Sequence, residues 1–127
     1  MAWVLLVVLG VCMHIIYLSM MVGKARAAYD IQAPATTGHD MFDRNYRAHI
    51  NSIEQSVVFF PLLAVCAFSG ATTVAAILGA AYLLGRILYA AAYVKEPTKR
   101  AAGMILGFLA QIGLLLVGAY HVIGSLL

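Results

Sequence analysis

Charge is scarce in this chain of 127 residues. Eight lysines and arginines and five acids make up only 10% of it, against roughly 25% in soluble domains. A water-facing surface cannot be built from so few charges, and 64% of the residues are hydrophobic, with a mean hydropathy of +0.94. The composition excludes a soluble globular domain and points to one integral membrane domain. Cysteine is nearly absent as well. Cys12 and Cys66 lie inside apolar runs, with neither the partners nor the spacing of a metal site, and they read as small packing residues. No metal is expected. His14 and His121 read as satisfied helix-packing groups. The net charge of +3 sits in two loops, which makes it a topology signal and not a nucleic-acid surface.

What is present is a succession of four apolar runs, at about 2–28, 47–69, 72–94 and 100–126, each long enough to cross a bilayer as a helix. The first run is not read as a secretory signal: Lys24 and Arg26 follow it and no basic residue precedes it, the reverse of a signal's charge order. The stretch Ser69–Thr73 is too short to do anything but join adjacent antiparallel helices. The loop over 24–46 is the only segment long and polar enough to form a lid. Lys24, Arg26, Arg44 and Arg47 flank or occupy the first loop, and Lys95, Lys99 and Arg100 occupy the third. The positive-inside rule then puts loops one and three in the cytoplasm and both termini on the opposite side. Gly103 with Gly107, Ala75 with Gly79 and Ala81 with Gly85 are small-xxx-small pairs, suited either to packing within the chain or to contact between chains.

The second run opens on Arg47-Ala48-His49-Ile50-Asn51-Ser52-Ile53-Glu54. Arg47, Asn51 and Glu54 share one helical face, and ionisable groups inside a membrane are costly enough to be functional candidates by default. Counting outward from Ala71, Glu54 lies 17 residues back and Arg86 lies 15 forward, so the two fall at nearly equal depth. The same count levels Asn51 with Tyr89 and Arg47 with Tyr93. A Glu54–Arg86 pair reads either as a structural ion pair or as part of a ligand site. Tyr82, Arg86, Tyr89 and Tyr93 form a second stripe, on the third helix. One half of the bundle therefore holds Arg26, Arg47, Arg86, Arg100, Asn51, Glu54, Tyr89 and Tyr93. Four arginines against one internal glutamate call for an anionic ligand. His49, Tyr17, Tyr29 and Tyr120 suit the membrane boundary.

The motif Arg47-Ala48-His49-x-Asn51-x-x-Glu54 in the second of four membrane helices resembles the membrane-associated proteins in eicosanoid and glutathione metabolism. The run Gly85-Arg86-Ile87-Leu88-Tyr89-Ala90-x-x-Tyr93-x-x-Glu96-Pro97-x-Lys99-Arg100 is similar to their type-three microsomal glutathione transferase branch. Ala25-Arg26, Thr36-Thr37-Gly38 and Tyr46-Arg47-Ala48 resemble the leukotriene-C synthase branch. The resemblance covers essentially the whole chain. It implies an all-α integral membrane protein, a four-helix antiparallel bundle assembling as a homotrimer, with glutathione as co-substrate at each subunit interface. Arg47, Asn51, Glu54, Tyr89 and Tyr93 would then bind glutathione from one subunit, Arg26 and His49 would reach it from the neighbour, and Arg100 matches the thiol-activating arginine. Two departures stand out. Ala27 replaces a second arginine of the leukotriene-C synthases, and Gln55 replaces a tyrosine that follows the glutamate.

These features lead to the expectation of a membrane-bound glutathione transferase or peroxidase acting on a lipophilic substrate that arrives from the lipid. The alternative of the same fold is a non-catalytic lipid- or glutathione-binding scaffold. A channel would need polarity across the full bilayer, and here it stops halfway. Short loops and Ala/Gly-rich helices favour a bacterial inner membrane over the endoplasmic reticulum.

Overall fold

Each of the four apolar runs forms one continuous helix in the computed structural model, which describes residues 1–127. Helix α1 spans Ala2–Tyr29, α2 Asp40–Phe68, α3 Thr72–Lys95 and α4 Ala101–Gly124, with a single 3-10 turn, Pro97–Lys99, between the last two. All four are long and apolar enough to cross a membrane. Only 28 of the 127 residues are buried, so the bundle turns most of its large apolar side chains outward. Lipid is the solvent such a surface fits, and helices satisfy their backbone polar groups internally, as lipid requires.

The ends of the helices are set by local chemistry. Asp30 takes the left-handed conformation (φ 51°) and its N–H donates to the Arg26 carbonyl, closing α1. Helix α2 begins at Asp40, ahead of the predicted span at 47. The His39 ring accepts the Met41 N–H at 3.2 Å, and Asp40 and Asp43 occupy the first turn, where the helix dipole favours negative charge. Asp43 also accepts the Gly38 N–H (3.1 Å) and the Thr37 hydroxyl (2.8 Å). The lid expected over 24–46 therefore shrinks to the connection between Tyr29 and Asp40. Arg26 Nη1 braces it further by donating to the Ala35 carbonyl at 2.8 Å. Gly70 (φ 105°) makes the tight turn between α2 and α3, a conformation that side chains other than glycine's rarely take.

The small-xxx-small pairs resolve in favour of packing within the chain. A Cβ on Gly85 would stand 2.6 Å from the Gly107 nitrogen and 2.9 Å from the Gly103 carbonyl oxygen, and one on Gly103 would collide with the Tyr89 backbone. Helices α3 and α4 thus touch backbone to backbone. Gly79 receives Val7 of α1 and Leu63 of α2. The main core, including Val7, Val11, Phe59, Leu63, Cys66, Tyr82 and Leu114, fills the end of the bundle near the Gly70 turn. Cys66 is a packing residue there, as expected, whereas Cys12 faces outward; both are free thiols. His14 also departs from expectation, because its Nε2 is buried with no hydrogen-bond partner. It lies beside a groove that Gly10, Met13, Leu83 and Ile87 help to wall.

Candidate functional site

At the opposite end, which carries the basic loops, α2, α3 and α4 part around a cleft of about 520 Å³. That volume is in the range of small-molecule sites. Helix α2 contributes Arg47, Asn51 and Gln55 at successive turns of one face; α3 contributes Tyr82, Arg86, Tyr89 and Tyr93; α4 contributes Met104, Gly107, Phe108 and Gln111, with Arg100 at its start. Three arginines line the cleft and no acid does, so its lining carries a net positive charge.

Arg86 is the buried one of the three. It is only 4% exposed, and its Nη2 donates to Asn51 Oδ1 at 2.8 Å and to Ser52 Oγ at 3.0 Å. Ser52 in turn donates to the Ala48 carbonyl at 2.9 Å. The guanidinium lies over the Tyr89 ring, 4.3 Å from its centroid, a contact that supplies attraction without neutralising the charge. Arg86 therefore fixes the Asn51 amide and the Tyr89 ring together, while its charge goes uncancelled.

The expected Glu54–Arg86 pairing does not form. Glu54 is instead held by Arg47, at 3.3 and 3.4 Å, and by Asn51 Nδ2 at 3.4 Å. The depth count holds near the short turn, where Phe59 stacks on Tyr82 with centroids 3.8 Å apart. Further away it slips, so that Arg86 meets Asn51 and not Glu54, an offset of about one helical turn, roughly 4.5 Å. The count treats the helices as parallel rods, and any crossing angle displaces partners progressively with distance. Arg44 then pins the displaced register. It caps the end of α3 by donating to the carbonyls of Val94 (3.4 Å) and Lys95 (3.1 Å), and it pairs with Asp40 at 2.6 Å.

Arg100 stands at the N-terminus of α4, exposed, with its guanidinium 5.9 Å from the Tyr93 ring centroid and one long bond to the Pro97 carbonyl (3.4 Å). Tyr93 stacks on Tyr89 at 5.6 Å. A free cation at the positive end of a helix is where an anion or a thiolate gains most. The cleft of a single chain gathers Arg47, Asn51, Tyr89, Tyr93 and Arg100, with Arg86 behind them and Glu54 beside Arg47. It does not gather Arg26 or His49. Arg26 is bound to the first loop and lies over Phe42, 4.8 Å from the ring centroid, and His49 is not among the lining residues.

Sequence reasoning missed Gln111. Its Nε2 donates to Gln55 Oε1 at 3.0 Å, joining α4 to α2 at the inner end of the cleft. One signal was available: apart from Tyr120 and His121 at the end of the helix, Gln111 is the only polar side chain between Ala101 and Gly124, and it stands alone in the middle.

Comparison with known proteins follows the same outline. The model of the MAPEG family matches residues 4–120. An uncharacterised protein of Synechocystis is 44% identical over 117 residues, covering 92% of this chain and 85% of that protein. Human microsomal glutathione S-transferase 2 is 36% identical over 113 residues, covering 87% and 76% respectively. Bovine leukotriene C4 synthase is 34% identical over 107 residues, covering 78% and 71%.

Proposed function

Because the chain belongs to the MAPEG family, we propose that its arginine-lined cleft binds glutathione and that the protein is a membrane-bound glutathione transferase with peroxidase capacity. The observation that carries this reading is the cleft itself: Arg47, Arg86 and Arg100 converge on one cavity with no acid in its wall. Glutathione has two carboxylates, an ammonium and a thiol. Arg47 suits a carboxylate, which a guanidinium grips with two parallel hydrogen bonds. Glu54 suits the ammonium, and Asn51 bridges the two, oriented by Arg86. Tyr89 and Tyr93 flank the peptide.

Arg100 supplies the chemistry. A thiol with an unperturbed pKa of about 8.5 is mostly protonated at neutral pH, and a guanidinium at a helix N-terminus stabilises the thiolate. With a chloronitrobenzene the thiolate sulfur bonds to the ring carbon and chloride leaves. With a lipid hydroperoxide the O–O bond breaks, and two glutathiones end as their disulfide while the peroxide becomes an alcohol and water. Arg26 and His49, which stand outside the cleft of their own chain, reach the cleft of a neighbour in a homotrimer. The basic loops face the cytoplasm, and the Synechocystis relative favours a bacterial inner membrane.

Purified protein in detergent should conjugate glutathione to chlorodinitrobenzene. The absence of both turnover and glutathione binding would sink the reading; binding without turnover would leave the non-catalytic scaffold. Arg47→Ala should weaken glutathione binding about tenfold to a hundredfold, the worth of charge-assisted hydrogen bonds, as measured by titration calorimetry. An unchanged affinity would remove Arg47 from the site.

A further inference from the structure

The cleft changes character along its length. Charge is confined to its open end, at Arg47 and Arg100. The inner end is lined by neutral polar groups, Gln55, Gln111 and Tyr82, with Arg86 between the two regions. Tyr82 is fully buried, yet its hydroxyl has no hydrogen-bond partner, and neither does Arg86 Nε. Buried polar atoms are rarely left unpaired, so both invite an acceptor, and both residues form part of the cavity wall. The Gln55–Gln111 bond uses one donor and one acceptor and leaves the Gln55 amide hydrogens and the Gln111 oxygen free. Gly107 keeps this floor open: even a Cβ there would stand 3.8 Å from Arg86 Cδ and 4.0 Å from Tyr82 Cδ2. Met104, Ile105 and Phe108, all exposed on the outer face of α4, wall the cleft where it meets lipid.

We infer that this inner end is a second subsite, which recognises a hydrogen-bonding oxygen on the lipophilic acceptor, far from the carbon that the thiolate attacks. The inference rests on the transferase reading and adds the substrate class. From Arg100 to Gln111 is eleven residues of α4, about 16 Å. The acceptor is therefore elongated: its electrophilic carbon lies near Arg100, its apolar body against Met104 and Phe108, and its remote hydroxyl or carbonyl on Gln111, Gln55 and Tyr82. The amide pair would also serve as plain interhelical glue. Glue stabilises the bundle but cannot distinguish two acceptors that differ in one distant oxygen.

A matched pair of probes separates the two roles: the hexyl ester of chloronitrobenzoic acid and the same ester with a hydroxyl at the chain end. In both, the sulfur–carbon bond forms at the same ring carbon and chloride leaves. The native protein should favour the hydroxylated ester in kcat/KM by about tenfold, the order of one net buried hydrogen bond, chiefly through KM. Gln111→Leu, and the smaller change Tyr82→Phe, should each bring that ratio down toward one. Because the ratio is taken within each variant, a general loss of folded protein cancels. A ratio near one in the native protein, or one unmoved by both variants, overturns the subsite while leaving the transferase intact. If the native protein conjugates neither ester nor chlorodinitrobenzene, the transferase reading falls and the subsite with it.

Discussion

Arg100→Ala should lower kcat for glutathione conjugation by about a hundredfold to a thousandfold, the usual loss when one group stabilising a developing or reacting anion is removed. Glutathione affinity should stay nearly intact, because the carboxylate and ammonium contacts proposed for Arg47, Asn51 and Glu54 are untouched. The fold should also survive, since Arg100 is exposed and its polar contact within the chain is one 3.4 Å bond to the Pro97 carbonyl. The pH profile gives the sign. A nearby cation lowers the thiol pKa; without it the pKa of the bound thiol returns toward about 8.5. The deficit should therefore be large near pH 7 and shrink as pH rises past that value. Stopped-flow spectra of the thiolate, taken alongside steady-state rates, would read both effects. An unchanged rate at saturating glutathione would remove Arg100 from thiolate activation.

Gly85→Ala should produce a large loss of stability. Its new methyl would fall 2.6 Å from the Gly107 nitrogen and 2.9 Å from the Gly103 carbonyl oxygen, and backbone cannot step aside as a flexible side chain can. Overpacking of this kind costs about 1–3 kcal/mol, and more where backbone must move. Because α3 carries Tyr89 and α4 carries Arg100, forcing the helices apart also widens the cleft between them. Gly107→Ala provides the contrast, since its methyl meets only ordinary contacts at 3.8 and 4.0 Å. Thermal unfolding in detergent, followed by circular dichroism, should place Gly85→Ala well below the native protein and Gly107→Ala close to it. Equal midpoints for the two variants would contradict backbone contact between α3 and α4.

The parts of this architecture that could be read from the sequence are those where polarity interrupts an apolar background. Arg47, Asn51 and Glu54 stand out at helical spacing because almost nothing else polar lies near them, and Tyr82, Arg86, Tyr89 and Tyr93 stand out in the same way. Spacing along one helix does not fix rotation and crossing against another, so the partner of Arg86 was misjudged by a turn. The glycines of α3 and α4 were recognisable as contact residues, but that they meet each other depends on how two helices lie side by side. Gln111 has no polar neighbour on its own helix. Its meaning comes from Gln55, which is remote in sequence and close only after folding.

The Arg47–Glu54 pair on α2 has a consequence for discrimination among ligands. Both side chains are about half exposed, and each is the other's counter-ion. A simple monoanion that takes Arg47 strands Glu54 and gains little, because it merely replaces one carboxylate by another. A zwitterion carrying both an ammonium and a carboxylate exchanges both partners at once, with no net change in charge. The site thus already holds, within one helix, the pair of opposite charges that a zwitterionic ligand would bring. That pair would favour such a zwitterionic group over a simple monoanion, although every residue that lines the cavity is neutral or positive.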